Sequence, residues 1–568
     1  MRLATLLLTF VLASPAHASV AGLWKAKKFF GPEARGPLVI RKAGGAYAAD
    51  MAGELVPVRV EGRNVSFALS NGKGSFRGKL DGGAIRGHWF PPGSVPRFFV
   101  YASPVELKAD GANRWRGEVR PFDDTFTFYL LLREQPDGSF SAFVRNPDRD
   151  EGGMRGVERL TIDGNAVKLL GKGGREVATG TYDQERDVLT LNFPNRGGSY
   201  DFRRDGDDSA FYARGAKPAR YAYRPPLARD DGWPVGTLEE AHIDRAAIEK
   251  FIQWIADTPA ESYTAPVIEG VLIARHGKLV LEEYFYGNHR DQLHETRSAA
   301  KSLTATVIGA ALQAGAPLSL SSPVYRVMNR GELPADLEPR KRAMTLEHLL
   351  TMNAGYFCDD TNDAAPGNEN FMIDEAEEPD TYKFTLAVPM ATAPGEQPVY
   401  CSSQPNLALG VLARATGESV LQTFDRLVAR PMKMRHYGWW LDRAGNPYGG
   451  GGVQLYPRDF LKLGQLMLDG GTWEGRRILS RDFVTRASSP LVDLRELKYG
   501  YLWWVRDYPY RDRTVRAYYA AGAGGQATIV VPELDLVVTT LGASYSSGKA
   551  THAISRDLAK DHILRAIF

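Results

Sequence analysis

Two patterns of apolar and polar positions divide the chain. From residue 20 to about 225, apolar side chains alternate in short runs, as in "NVSFAL" (64–69), "FTFYLLL" (126–132) and "VLTLNF" (188–193). Period-two alternation predicts strands, and Asn71-Gly72, Asp81-Gly82, Asp137-Gly138 and Asp163-Gly164 supply the turns between them. No long amphipathic helical pattern interrupts this stretch. Residues 60–91 and 162–194 share an order of strand, glycine turn, strand, glycine-rich turn and two more strands ending in an aromatic and proline. The expectation is an all-β, barrel-like and internally duplicated domain over 19–224.

Beyond a proline-rich linker (225–237) the period changes. "DRAAIEKFIQWI" (244–255) has helical spacing, "GVLIARHGKLVLEEYFYG" turns at His276-Gly277 as a strand pair, helical patterns fill 303 to about 470, and "ATIVVPELDLVVTTLG" (527–542) closes as a hairpin. Strands at both ends with helices between predict an α+β domain over 238–568.

Composition adds little to this picture. The chain of 568 residues is 43% hydrophobic and 24% charged with net charge +3, which gives no basis for nucleic-acid binding. The start is more informative. Arg2, the apolar run Leu3–Ala13 and the Ala16-His17-Ala18 site read as a signal peptide over 1–18, so an exported protein without membrane anchor is expected. Export would permit the two cysteines, Cys358 and Cys401, to pair; the alternative is two buried free thiols.

Candidate chemistry begins with "HETRSAAKSLTATVIGAALQAG" (294–315), where Ser298 and Lys301 lie three apart at a helix start. That spacing puts both side chains on one face, within reach of each other, near free N–H groups where an oxyanion could form. Ser-x-x-Lys also occurs at Ser70/Lys73 and Ser546/Lys549, but those fall in a hairpin turn and a glycine-broken loop. An ammonium cannot accept a proton, so Lys301 needs a lowered pKa or an anionic partner. Tyr400, in "PGEQPVYCSSQPNLALGVLARATG" (394–417), is the candidate partner. There is no Gly-x-Ser-x-Gly elbow, no metal-ligand spacing and no phosphate-binding glycine loop, so no metal or cofactor is expected.

These stretches, with "RKRAMTLEHLLTMNAG" (340–355), "GGGGVQLYPRDFLKLGQLMLDGG" (449–471) and "AAGAGGQATIVVPELDLVV" (520–538), resemble in order the serine β-lactamase and penicillin-binding-protein superfamily. The resemblance is to its class C-related esterase and 6-aminohexanoate-oligomer hydrolase branch. It implies that Ser298 forms an acyl-enzyme, that Lys301 and Tyr400 move its proton, and that Ala523, Gly524 and Ser402 serve the oxyanion and substrate. A Cys358–Cys401 bridge would then pin the tyrosine loop. Two departures stand out: Tyr400-Cys401-Ser402 replaces the usual Tyr-x-Asn, and "AAGAGGQ" lacks the lysine of Lys-Thr-Gly. The expected partner is a small or peptide-like ester or amide. The alternatives are a β-lactamase or D-Ala-D-Ala carboxypeptidase, and a binding protein whose hydrolase domain is relict.

Overall fold

The structure is a computed structural model, and it describes residues 19–93, 100–146, 156–545 and 547–568. Residues 1–18, where a signal peptide is expected, and Ser546 therefore lie outside the described residues.

Sixteen antiparallel strands come first: β1 (Gly22–Gly31), β2 (Gly36–Ala43), β3 (Ala46–Met51), β4 (Glu54–Glu61), β5 (Asn64–Ala68), β6 (Ser75–Asp81), β7 (Ala84–Phe90), β8 (Val100–Ala109), β9 (Arg114–Val119), β10 (Asp124–Glu134), β11 (Phe140–Arg145), β12 (Val157–Asp163), β13 (Ala166–Gly171), β14 (Glu176–Asp183), β15 (Val188–Phe193) and β16 (Gly198–Arg204). They form two rings of eight. Strands β10 to β16 are closed by β1 into ring A, and β2 to β9 close on themselves through a β8–β9 pairing into ring B. Closure leaves neither set with two free edges. Alternate residues fill each interior, Phe128, Leu169, Leu191 and Phe202 in ring A and Ile40, Phe76, Ile85 and Leu107 in ring B, all buried.

By contacts the chain forms two compact units. One comprises 1–28, 126–148 and 153–207; the other comprises 29–125, 149–152 and 208–568. Ring B thus belongs to the same unit as the α+β part, although both rings fall inside the 19–224 span that the sequence pattern groups together. The cause is visible in β8. Its residues 108–109 pair with β9, while residues 100–102 pair with β20 (Tyr437–Leu441). One strand edge therefore closes the ring and joins the second domain. His88 Nε2 to Tyr437 Oη at 2.7 Å and Arg430 to Asp81 at 2.8 Å reinforce the joint.

The α+β part contains β17 (Ile268–Arg275), β18 (Lys278–Tyr284), β19 (His294–Glu295), β21 (Val453–Leu455), β22 (Val492–Leu494), β23 (Leu497–Tyr499), β24 (Trp504–Tyr510), β25 (Arg513–Gly522), β26 (Gln526–Val531) and β27 (Leu536–Gly542). Eight of them form a sheet in the order β18-β17-β27-β26-β25-β24-β23-β22. The long helices are α1 (Arg245–Ala256), α2 (Ala300–Gln313), α3 (Ser403–Thr416) and α4 (Pro457–Leu468), with shorter turns between. Asp244 caps α1, accepting from the N–H groups of Ala246 and Ala247. Helix α2 differs from the apolar stripe its sequence suggests. Residues 300 to 311 are buried on every side, and Ser302, Thr304 and Thr306 donate their hydroxyls to backbone carbonyls.

The linker residues have no regular structure, yet they are tied down: Trp233 Nε1 donates to the Arg458 carbonyl, and Arg458 pairs with Asp231 at 2.9 Å.

Candidate active site

Ser298 lies in a short 3-10 turn, Arg297–Ala299, immediately ahead of α2. Two sheets converge on that turn. Strand β8 pairs with β20, β20 with β21, and β21 with β19, which ends at Glu295. From the other side the end of β25 presses in: a Cβ on Gly522 would stand 2.4 Å from the Thr296 carbonyl and 3.1 Å from the Ala299 nitrogen. Only glycine permits that approach. Arg297 takes the left-handed conformation, φ 49°, costing about 1 kcal/mol that the surrounding packing offsets. Its guanidinium sits 4.7 Å over the Tyr545 ring.

The expected trio meets. Lys301 Nζ donates to Ser298 Oγ at 3.0 Å and to the Gly450 carbonyl at 2.5 Å, and it stands 4.8 Å from the Tyr400 ring centroid. Ser298 and Tyr400 are partly exposed, whereas Lys301 is buried. Tyr400 is held on its faces. Trp504 stacks on it at 5.7 Å and 17°, and the Arg495 guanidinium lies 4.5 Å from its centroid. Trp503, its neighbour in sequence, packs in the core against Tyr518.

The charge state of Lys301 follows from its surroundings. Burial alone lowers an amine pKa, but the Tyr400 phenol and the Glu369 and Asp360 carboxylates more than offset it, and the net direction is upward. Lys301 is therefore an ammonium in the resting site, with anionic partners rather than a lowered pKa.

Two substrate-side expectations are altered by the packing. Ser402 is fully buried, and its hydroxyl and backbone N–H both donate to Asp360 Oδ2, at 2.7 and 2.9 Å. It braces Asp360 rather than facing a substrate. Gly524 is also buried; its carbonyl accepts from the Ser544 N–H, and a Cβ there would enter the Tyr545 ring. Ala523, one residue past Gly522, is exposed. Gln526, the last residue of the glycine-rich motif, is buried, and its amide oxygen accepts from His294 Nε2–H at 2.8 Å, tying β26 to the strand that leads to Ser298.

Cys358 and Cys401 form a disulfide that joins the tyrosine loop to the 359–369 loop. Alongside it the Asp360 N–H donates to the Tyr400 carbonyl at 3.1 Å. Sequence reasoning missed Asp360, Glu369, Tyr448 and Arg495. The nearest signal was the acidic character of 359–380, which holds many carboxylates and one lysine, Lys383, only beyond it. His436, weighed as packing, lies beside Tyr456 with its pKa lowered to about 4 by burial. Cavities of about 400 and 1030 Å³ lie elsewhere, at one end of ring B and between ring B and residues 372–381 and 440–445; neither is lined by Ser298, Lys301 or Tyr400.

A Ser-x-x-Lys helix start facing a tyrosine, at the edge of an antiparallel sheet, places the chain in the serine β-lactamase and penicillin-binding-protein-like superfamily. A sequence model of the beta-lactamase family matches residues 260–559, more than half of the chain, and the protein belongs to that family. It is similar to the 6-aminohexanoate-dimer hydrolase of Paenarthrobacter ureafaciens, 26% identical over 222 residues, 38% of this chain and 56% of that protein. The match thus spans little more than half of that relative. Among solved structures, EstCE1, a hydrolase with promiscuous acyltransferase activity, aligns at 16% identity over 57% of this chain and 99% of its own, TM-score 0.44. A penicillin-binding protein homolog from Caulobacter crescentus aligns at 16% identity over 57% and 99%, TM-score 0.41.

Proposed function

We propose that the protein is an exported serine hydrolase that cleaves an ester or amide through an acyl-enzyme on Ser298. The observation that carries this reading is the 3.0 Å hydrogen bond from Lys301 Nζ to Ser298 Oγ beside the Tyr400 ring. Ser298 Oγ attacks the substrate carbonyl carbon, and its proton passes to the Tyr400 oxygen, which acts in its deprotonated form beside the Lys301 ammonium. The N–H groups of Ser298 and Ala523 take the oxyanion, each worth on the order of 3 kcal/mol of barrier. The Tyr400 oxygen returns the proton to the departing alcohol or amine. Water then attacks the acyl ester, giving its proton to the same oxygen, and Ser298 leaves as the restored hydroxyl.

The missing Lys-Thr-Gly lysine weighs against β-lactam and D-Ala-peptide substrates, and the relative named as a 6-aminohexanoate-dimer hydrolase supports an amide or ester of modest size. Export rests on Arg2, the Leu3–Ala13 run and Ala16-His17-Ala18, and the Cys358–Cys401 bridge suits an oxidising compartment. Among the described residues no helix is long and apolar enough to cross a membrane. We read the two rings as an internal duplication: the 3-10 turns Ser70–Gly72 and Lys172–Gly174 recur at the same strand junction, about a hundred residues apart.

The test is to treat wild type and Ser298→Ala with a fluorophosphonate probe, a p-nitrophenyl ester and nitrocefin. Labelling and ester turnover that both vanish in the variant are expected. Turnover that survives in Ser298→Ala, or a wild type silent in every arm, overturns the reading; efficient nitrocefin turnover moves it to the β-lactamase alternative.

A further inference from the structure

The Ser298 site has a second layer that the acyl-enzyme scheme leaves without a role. Lys301 donates to the Gly450 carbonyl, and a Cβ on Gly450 would stand 2.3 Å from the Tyr448 hydroxyl and 2.9 Å from the Ser402 Cβ, the two residues whose hydroxyls bond the carboxyl groups of Glu369 and Asp360. Asp360 accepts from Ser402 through Oδ2, while its other oxygen, Oδ1, is buried without a hydrogen-bond partner. Glu369 accepts from the Tyr448 hydroxyl at 2.5 Å. The loop between them is held shut by the Asn368 amide, which donates to the carbonyls of Asp359 and Asn362 at 3.0 and 3.1 Å.

We propose that Asp360 and Glu369 are positioning residues of this site, a half-buried carboxyl pair that acts through Lys301. The inference rests on the serine hydrolase reading above. A buried ammonium is costly unless a counter-charge faces it. Two carboxyl groups facing one ammonium leave Asp360 with a like-charged neighbour as well as a counter-ion. Consistently, burial first and then Glu369 push Asp360 up to about 6, against the opposing pull of Lys301 and Ser402.

The charged and titratable groups facing the pair are Lys301 from α2, Tyr400 and Ser402 from the segment leading into α3, and Tyr448 from the loop after β20. Arg495, 3.9 Å from Asp359, is the cation on the outer side. Each ionised carboxylate makes the Lys301–Tyr400 pair hold its proton more tightly. Removing one therefore frees the base at lower pH.

Asp360→Asn and Glu369→Gln keep the acceptors for Ser402 and Tyr448 and delete only charge. The experiment is kcat/KM for the p-nitrophenyl ester across pH, with thermal melting as the fold control. The rising acid limb is expected to move to lower pH by about half a unit or more in each variant, further in the double variant, with kcat reduced several-fold. An acid limb that stays put or moves upward in folded variants overturns the proposal; should Asp360→Asn fail to fold, Glu369→Gln decides. A wild type that neither takes the fluorophosphonate nor turns over ester sinks the hydrolase reading and the pair with it. A wild type active in both, with unmoved limbs in the variants, sinks the pair alone.

Discussion

Rings A and B have the same strand count and antiparallel order, yet one is a compact unit by itself and the other is part of the unit that carries Ser298. Ring A spends its edges on closure: β16 pairs with β1 at Trp24↔Arg204 and Lys25↔Arg203. Ring B closes through only two β8–β9 register pairs, Lys108↔Arg116 and Ala109↔Trp115, and the rest of that edge of β8 receives Trp439, Trp440 and Leu441. Unpaired strand edge is where backbone N–H and C=O groups seek partners, and here a second domain supplies them. The lesson is that a shared strand count and order does not decide which ring stands alone. The outcome depends on how much of one edge the closing strand, β9, covers.

Breaking the joint tests this contrast most severely. Trp439 is fully buried, packs on Phe424 at 5.0 Å and donates its indole N–H to the Tyr448 carbonyl. Trp439→Ala should cost about 3–5 kcal/mol and abolish ester turnover. Phe128→Ala in the ring A interior should cost a similar amount in that unit's own thermal transition while turnover in the remaining folded unit persists. Equal loss of turnover in both variants would remove the distinction between the rings.

A smaller effect on turnover is expected from the disulfide. Its two cysteines are 43 residues apart, and Cys358→Ser with Cys401→Ser should destabilise the unit that carries Ser298 by about 4 kcal/mol, less any native strain. Differential scanning calorimetry should show the ring A transition unmoved, and activity should fall because Tyr400 adjoins the bridge. A shift of both transitions would count against separate units.

The smallest effect concerns the charged seam. Arg430 donates to Asp81 on ring B, and that hydrogen bond holds the Asp81 carboxyl below its usual range. A lowered folded pKa contributes stability above the unfolded value of about 4 that is lost as pH falls through the folded one. Asp81 is partly exposed, so the contribution is at most about 1 kcal/mol. Asp81→Asn should flatten the acid dependence of the melting temperature of the unit that carries Ser298 below about pH 4 and leave ring A's unchanged; an identical acid slope in wild type and variant would rule the seam out as a contributor.

Much of the site was legible where its geometry is local. Ser298 and Lys301 are one helical turn apart, so their contact follows from spacing alone. Tyr400 was reached through resemblance, since nothing local marks one tyrosine among 25. Asp360 and Glu369 were hidden because they come from one loop, and their partner Tyr448 from another, with no motif in either. Ser402 illustrates the converse: the motif position was right, but burial against Asp360 turned its hydroxyl inward. The strands, the His276-Gly277 turn and the terminal hairpin appeared as their alternation suggested, whereas α2 became buried all round, which a one-sided pattern could not reveal.

The sequence by itself determined the local elements, the turns and the serine–lysine stacking, because those depend on side chains within a few residues and on backbone sterics. Only the tertiary structure decided that ring B belongs with the unit that carries Ser298, and that two carboxyl groups bear on Lys301. Both depend on contacts between residues far apart in the chain, where β8 meets β20 and where the 359–369 loop is bridged to Tyr400, and no short-range periodicity carries that information.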